Sequence, residues 1–311
     1  YILTTTDAIG CSVVSNVLVT VNPIPVITFV QTPAAICNGQ VQQITATVAP
    51  PIPQLVTGGG TITINTSGIA NPYSSNLIAG GLPASGVSVK SVTINGVSHT
   101  FPSDIDMVLQ SPFGTNVILM SDAGGATAIS GRNITFDDAA AATVPSPIVN
   151  GTFRPTNTAG PDNFPAPGPG SITQVAPTLA SFGAGDYNGV WKLFVMDDAA
   201  GDGGSITNWS ITFNIPVPVS YSPITNLFTN AGATIAYDGT PTLASVYAKP
   251  AATSTYTATA TRNGCTGTAN VTVIVNQLPA ITTQPNPATQ TVCPGANVTY
   301  TVAATGAGLT Y

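Results

Sequence analysis

Thr253-Ser-Thr-Tyr-Thr-Ala-Thr-Ala-Thr261 and, shortly after it, Asn263-Gly-Cys-Thr-Gly-Thr-Ala-Asn-Val-Thr-Val-Ile-Val-Asn276 decide how this chain is read. In the first stretch, hydroxyl-bearing residues alternate with small or aromatic ones at a period of two, the spacing of a strand with one wet face. The second alternates likewise and reads as the last strand of a domain. No window of ten or more residues anywhere in the chain combines helix formers with a 3.6-residue apolar period.

The composition points the same way. The chain has 311 residues, room for two or three domains. Only 6% of residues are charged, against about 25% in an ordinary soluble protein. All twelve acidic residues are Asp, and only six residues are basic. Twenty-seven Pro and 31 Gly, among many Thr, Val, Ser and Asn, favour strands and turns over helices. So few cations exclude a nucleic-acid partner, because phosphate binding needs clustered Lys and Arg. Without a run of about 18 apolar residues, no membrane span is expected. No basic-then-apolar leader opens the sequence. Tyr1 and Tyr311 both fall in mid-pattern, so the chain is expected to be a segment of a longer, exported polypeptide.

The closing strand has a copy. Asp7 to Asn22 matches Thr261 to Asn276, with Cys11 and Cys265 in register at an offset of 265 − 11 = 254. Pro23-Ile-Pro-Val-Ile-Thr28 matches Gln277-Leu-Pro-Ala-Ile-Thr282, and Ile36-Cys-Asn-Gly39 matches Val292-Cys-Pro-Gly295 at an offset of 293 − 37 = 256. A domain-sized unit therefore repeats, with a Pro-containing hinge between copies.

At these residues the chain resembles the Ig-like (and PKD-like) repeats of very large secreted bacterial surface proteins. Tyr221-Ser-Pro-Ile-Thr-Asn-Leu227, Thr253 to Thr259 and Asn263-Gly-Cys-Thr266 follow the family's order, with Tyr221 in place of its Trp and Asn226 in place of its Gly. The early strand ends near Ala49, yet the Ser-Pro-x-Thr element begins only at Tyr221, too far for a loop. Both edges of the intervening stretch are Pro-rich, at Pro50-Pro-Ile-Pro53 and Ile215-Pro-Val-Pro218. A second domain inserted into the first is the simplest reading. The expected organisation is 1–22, the last strands of a preceding Ig-like domain; 23–54 with 217–276, a discontinuous Ig-like domain; 57–214, the insert; and 277–311, the first strands of a following domain. Cys37 and Cys265 then share one domain, and a disulfide between them is expected. Closing so long a loop stabilises by about 5 kcal/mol in the chain-entropy model and fits an oxidising, extracellular compartment. Cys11 and Cys293 become inter-domain or inter-subunit cysteines. Four unpaired thiols are the alternative.

The insert carries the most specific signal. Ser98-His-Thr-Phe-Pro-Ser-Asp-Ile-Asp-Met-Val-Leu-Gln-Ser-Pro-Phe-Gly-Thr115, Ile134-Thr-Phe-Asp-Asp-Ala139, Asn188-Gly-Val-Trp-Lys-Leu-Phe-Val-Met-Asp197 and Ile206-Thr-Asn-Trp-Ser-Ile-Thr-Phe213 occur in that order. This pattern resembles the P domain (P/Homo B) that follows the catalytic domain of subtilisin-like proprotein convertases. The resemblance implies a jelly-roll β-sandwich. Ile105 stands where the family prefers Leu, and Asp106 is an additional acid.

Ten of the twelve Asp lie from 104 to 202, inside the insert. Asp104 and Asp106, two residues apart, are expected on one face of a strand. Asp137 and Asp138 end another strand, and Asp197, Asp198 and Asp202 sit in a glycine-rich turn. Hard carboxylate oxygens grouped on loops suit Ca²⁺, which the resemblance also implies, so these seven Asp are the candidate ligands of one or two Ca²⁺ ions. The alternative is that they cap turns and solubilise a charge-poor surface.

Catalysis is not expected within these residues. The single histidine, His99, falls at a structural position of the P-domain pattern, and no Gly-x-Ser-x-Gly or zinc-ligand spacing is present. Trp191 and Trp209 match core positions, with carbohydrate stacking as the functional alternative. The expected protein is all-β and secreted or at the cell surface, a structural or adhesive repeat of a filament or surface protein. Its expected partners are neighbouring copies or adjacent repeats, with a surface glycan or protein as a further ligand class. The competing reading is a Ca²⁺-stabilised accessory module of a giant secreted enzyme, such as a subtilisin-like protease, whose catalytic domain lies elsewhere.

Overall fold

A computed structural model describes residues 2–16, 22–30, 35–286, 288–306 and 309. The chain is all-β, with two short 3₁₀ turns at Pro102–Asp104 and Leu179–Phe182. It divides into two compact units, one continuous from Pro51 to Pro216 and one built from Tyr1–Pro50 with Val217–Tyr311.

The continuous unit is two sheets around one core. The first sheet runs Ser75–Ala79, Gly189–Asp197, Ile105–Gln110, Asn116–Ser121, Thr156–Asn157. The second contains Gly151–Phe153, Ile129–Phe136, Ser88–His99, Gly204–Ile206 and Ile62–Ile64, with Asn208–Ile215 and Ile52–Gly59 paired alongside. Alternation decides what each strand buries. Ile105, Met107 and Leu109 face the inter-sheet core with Trp191, Leu193 and Val195, opposite Val92, Ile94, Trp209 and Phe213. Residues of the other parity, Val108, Ile118 and Phe194, point away from it. Phe164, on the hairpin Asp162–Phe164/Gly170–Ile172, joins them in a second, smaller core. Both tryptophans are fully buried, Trp191 donating to the Tyr187 carbonyl and Trp209 to Ser75 Oγ, so neither offers a face to a sugar. The edge strand Ile52–Gly59 begins before the expected boundary at 57, because Ile52 to Val56 pair with Ile211 to Ile215.

In the second unit, segments on either side of the insert pair with each other. Gln42–Ile44 lies antiparallel to Val246–Ala248, and Ile36–Cys37 parallel to Val275–Asn276. Ser254–Arg262 and Cys265–Val273 form a hairpin in continuous register. The alternation of 253–261 is realised as buried Tyr256, Ala258 and Ala260 between wetter Thr residues. Two further hairpins, Ile2–Thr6/Ser12–Asn16 and Ala280–Asn286/Thr301–Thr305, each pair only within themselves among the described residues. The strand expected over 17–21 lies outside the described residues.

The expected Cys37–Cys265 disulfide is corrected. All four cysteines are free. Cys37 sits opposite Asn276, eleven residues along an extended chain from Cys265. At about 3.3 Å per residue that places the two thiols at opposite ends of the strand pair. Cys265 Sγ instead donates to the Asn22 carbonyl.

Candidate metal centre

Ile105–Gln110 and Gly189–Asp197 run antiparallel, with Ile105 opposite Asp197 and Asp106 opposite Met196. Paired residues share a face and successive residues alternate. Asp197 therefore joins the Ile105 side, facing the main core, while Asp106 joins the Met196 side, facing the smaller core. The two acids at this sheet end are thus sent to opposite faces, and each builds a different constellation.

On the outer face, Asp106, Asp122 and Asp162 bring carboxylate oxygens within 4.8 Å of one another. Asp106 and Asp162 are both buried. The parallel pairing of Ser121 with Asn157 carries the Asp162 turn alongside. Asp122 adopts a left-handed conformation (φ 52°), which Asp tolerates better than most residues. Ser121 Oγ lies at the centre, 2.7 Å from Asp106 Oδ1 and 2.6 Å from Asp162 Oδ1. A hydroxyl has one proton to donate, so the second short contact requires a proton on a carboxyl oxygen or the arrival of a cation. Asn157 Nδ2 donates to the other Asp162 oxygen at 3.2 Å. Burial pushes the Asp106 carboxyl up to about 7; the Ser121 hydroxyl opposes the shift, and Asp162, Asp198 and Asp122 add to it. Burial also raises Asp162, against the Ser121 hydrogen bond and with Asp122. These acids line an open polar pocket of about 510 Å³ with Asp198 and the 159–163 turn.

On the inner face, His99 Nε2 meets Asp197 Oδ2 at 3.1 Å with both side chains fully buried. The Phe101 amide donates to His99 Nδ1 at 3.2 Å, which leaves the ring proton on Nε2, pointing at Asp197. Asp197 Oδ1 accepts the Ala199 amide. Asp202 completes a group of three potential ligands, but both imidazole nitrogens are engaged. This group does not fit a metal; it fits a buried hydrogen bond tying one sheet to the other. Gly204 makes the approach feasible, since a Cβ there would stand 1.8 Å from the Ser98 carbonyl oxygen.

No protein-family model matches the sequence, and no curated protein is significantly similar to it.

Between the two groups the acids are continuous. Asp198 is raised by burial and then by Asp122, Asp104 and Asp197; Asp104 by burial and then by Asp202. Of the seven expected ligands, Asp104, Asp106, Asp197, Asp198 and Asp202 gather at this edge. Asp104 is not in a strand with Asp106: it ends the 3₁₀ turn Pro102–Asp104, and the strand begins at Ile105. Asp137 and Asp138 lie apart with structural partners. Asp137 pairs with Lys90, and Asp138 accepts the Leu179 and Ala180 amides at 2.8 and 2.9 Å, capping the second 3₁₀ turn. Asp122, Asp162 and Ser121 escaped the sequence reading because each is far along the chain from Asp106. Their one local cue is an Asp beside turn-forming residues, in Ser-Asp-Ala-Gly-Gly125 and Gly160-Pro-Asp-Asn163.

The donor set suits a hard divalent cation. It is all oxygen and irregular, and the charges that perturb Asp106 are those of other Asp residues. Calcium takes six to eight such ligands without strict geometry, whereas Mg²⁺ demands a near-ideal octahedron.

Proposed function

We propose that this chain is a Ca²⁺-stabilised structural or adhesive segment of a large secreted surface protein. Its two units would be a P-domain-like jelly roll and the discontinuous Ig-like domain that carries it. The observation that carries the reading is the buried Asp106–Ser121–Asp162 group with Asp122, in which one hydroxyl stands between two buried carboxylates with a third beside them. A bound Ca²⁺ would be held by Asp106, Asp122 and Asp162, with Asp198 at the rim, and would replace mutual repulsion by attraction. Because such an ion binds the folded chain and not the unfolded one, occupancy stabilises the fold by mass action. The structural role is supported by strand pairing across the insert, low charge and the internal sequence repeat. His99 supports it too, since both its ring nitrogens are held in place between the sheets, a structural use of the only histidine.

Thermal melting of the whole chain in Ca²⁺, Mg²⁺ and EGTA tests this. The reading expects a higher midpoint in Ca²⁺ than in EGTA, with a smaller effect of Mg²⁺. Equal midpoints in Ca²⁺ and EGTA would remove it.

A further inference from the structure

The buried histidine and the acidic pocket meet in one turn. The strand Gly189–Asp197 ends at Asp197, whose buried carboxylate points inward to His99. Asp198, the next residue, is exposed and lines the open pocket with Asp106, Asp122 and Asp162. Asp197 is held at both oxygens: His99 Nε2 donates to Oδ2 at 3.1 Å, and the Ala199 amide donates to Oδ1 at 3.1 Å. Two backbone bonds pin the rest of the turn, from the Asp198 amide to the Asp104 carbonyl and from the Gly201 amide to the Thr66 carbonyl, each 3.1 Å. His99 in turn has little slack. The Phe101 amide holds Nδ1 at 3.2 Å, and a Cβ on Gly204 would stand 2.9 Å from the ring carbon Cδ2.

We propose that His99 is a positioning residue for the cation pocket: through Asp197 it fixes the 197–199 turn, and with it the place of Asp198 beside Asp106, Asp122 and Asp162. The proposal rests on the Ca²⁺ reading of that pocket. Asp106 and Asp162 need no such help, since both lie in strands and share Ser121. Asp198 lies just past its strand, so the contacts of the turn set its position. His99 itself touches no ion. It acts at one remove, as hydrogen-bond partners behind a ligand set do when they orient the ligands. The coupling runs both ways: an ion that draws on Asp198 loads the same turn, and the load reaches the imidazole between the sheets. Occupancy at the edge of the sandwich is thereby felt in its core.

Calorimetric titration of Ca²⁺ into the metal-stripped whole chain tests it, with His99→Ala and His99→Gln beside wild type. The NMR signal of the imidazole is followed in the same titration, and it needs no assignment because His99 is the only histidine. His99→Ala is expected to weaken Ca²⁺ binding by about tenfold, the scale of losing a partner that orients a ligand. His99→Gln, whose amide still donates to Asp197, is expected to recover most of that loss. In wild type the ring nitrogen and proton shifts are expected to move as Ca²⁺ is added and to stop at saturation. A histidine that only braces the sheets would lower the melting midpoint in EGTA when replaced, yet leave the Ca²⁺ affinity of the folded variant and the wild-type imidazole shifts unchanged; either unchanged readout would overturn the proposal. Should His99→Ala not fold, the wild-type shifts decide. No binding heat in wild type removes the metal reading and this proposal with it, whereas saturable heat with an unmoved imidazole overturns this proposal alone.

Discussion

Asp106 shows how a residue's role follows from its rung in a sheet. Ile105 and Asp106 are neighbours, but one fills the core and the other meets two further carboxylates through Ser121. The raised Asp106 carboxyl makes metal-free stability depend on pH. Between its ordinary value of 3.8 and about 7, the folded chain keeps a proton that the unfolded chain has released. Stability is then fully present below that window and falls as pH rises through it, by an amount on the order of a few kcal/mol. Melting in EGTA from pH 4 to pH 8 should show this decline, and Asp106→Asn should flatten it. Asp138→Ala removes two amide caps, so a loss of about 1–2 kcal/mol is expected in chemical denaturation, with the Ca²⁺ response intact. The acids of the 197–202 turn were legible from sequence because they are contiguous. Asp122 and Asp162 were not, because the pairing of 105–110 with 116–121 brings in the first and that of Ser121 with Asn157 the second.

Strands were the most legible elements, since period-two alternation is a local property. The stretch read over 253–261 appears as Ser254–Arg262, with the expected face buried. Boundaries were less legible. Pro102 opens a 3₁₀ turn that takes Asp104 out of the strand, and Ile52 joins the sandwich because its partner strand is distant in sequence. The cysteine pairing failed for a related reason: sharing a domain says nothing about which end of a strand each thiol occupies. At Gly204 two strands of the second sheet leave no room for a Cβ. Gly204→Ala should force the Gly204–Ile206 and Ser88–His99 strands apart and cost about 1–3 kcal/mol, read as a lower melting midpoint in Ca²⁺ and EGTA alike.

For the whole molecule, the Pro-rich stretches at 50–53 and 215–218 bracket the change from one compact unit to the other. Pairing between residues on the two sides of the insert, rather than a covalent staple, holds the discontinuous unit together. Four free thiols are expected in a denaturing titration, and reductant should leave the melting midpoint unchanged. The central claim is that the acidic edge of the sandwich is a Ca²⁺ site organised by Asp106 and Asp162. Isothermal titration of Ca²⁺ into the metal-stripped chain tests it most directly, with Asp106→Asn/Asp162→Asn and Asp137→Asn measured beside wild type. A saturable binding heat in wild type and Asp137→Asn, lost in the double variant, is the predicted result. No heat in wild type, or the same heat in all three proteins, would contradict it.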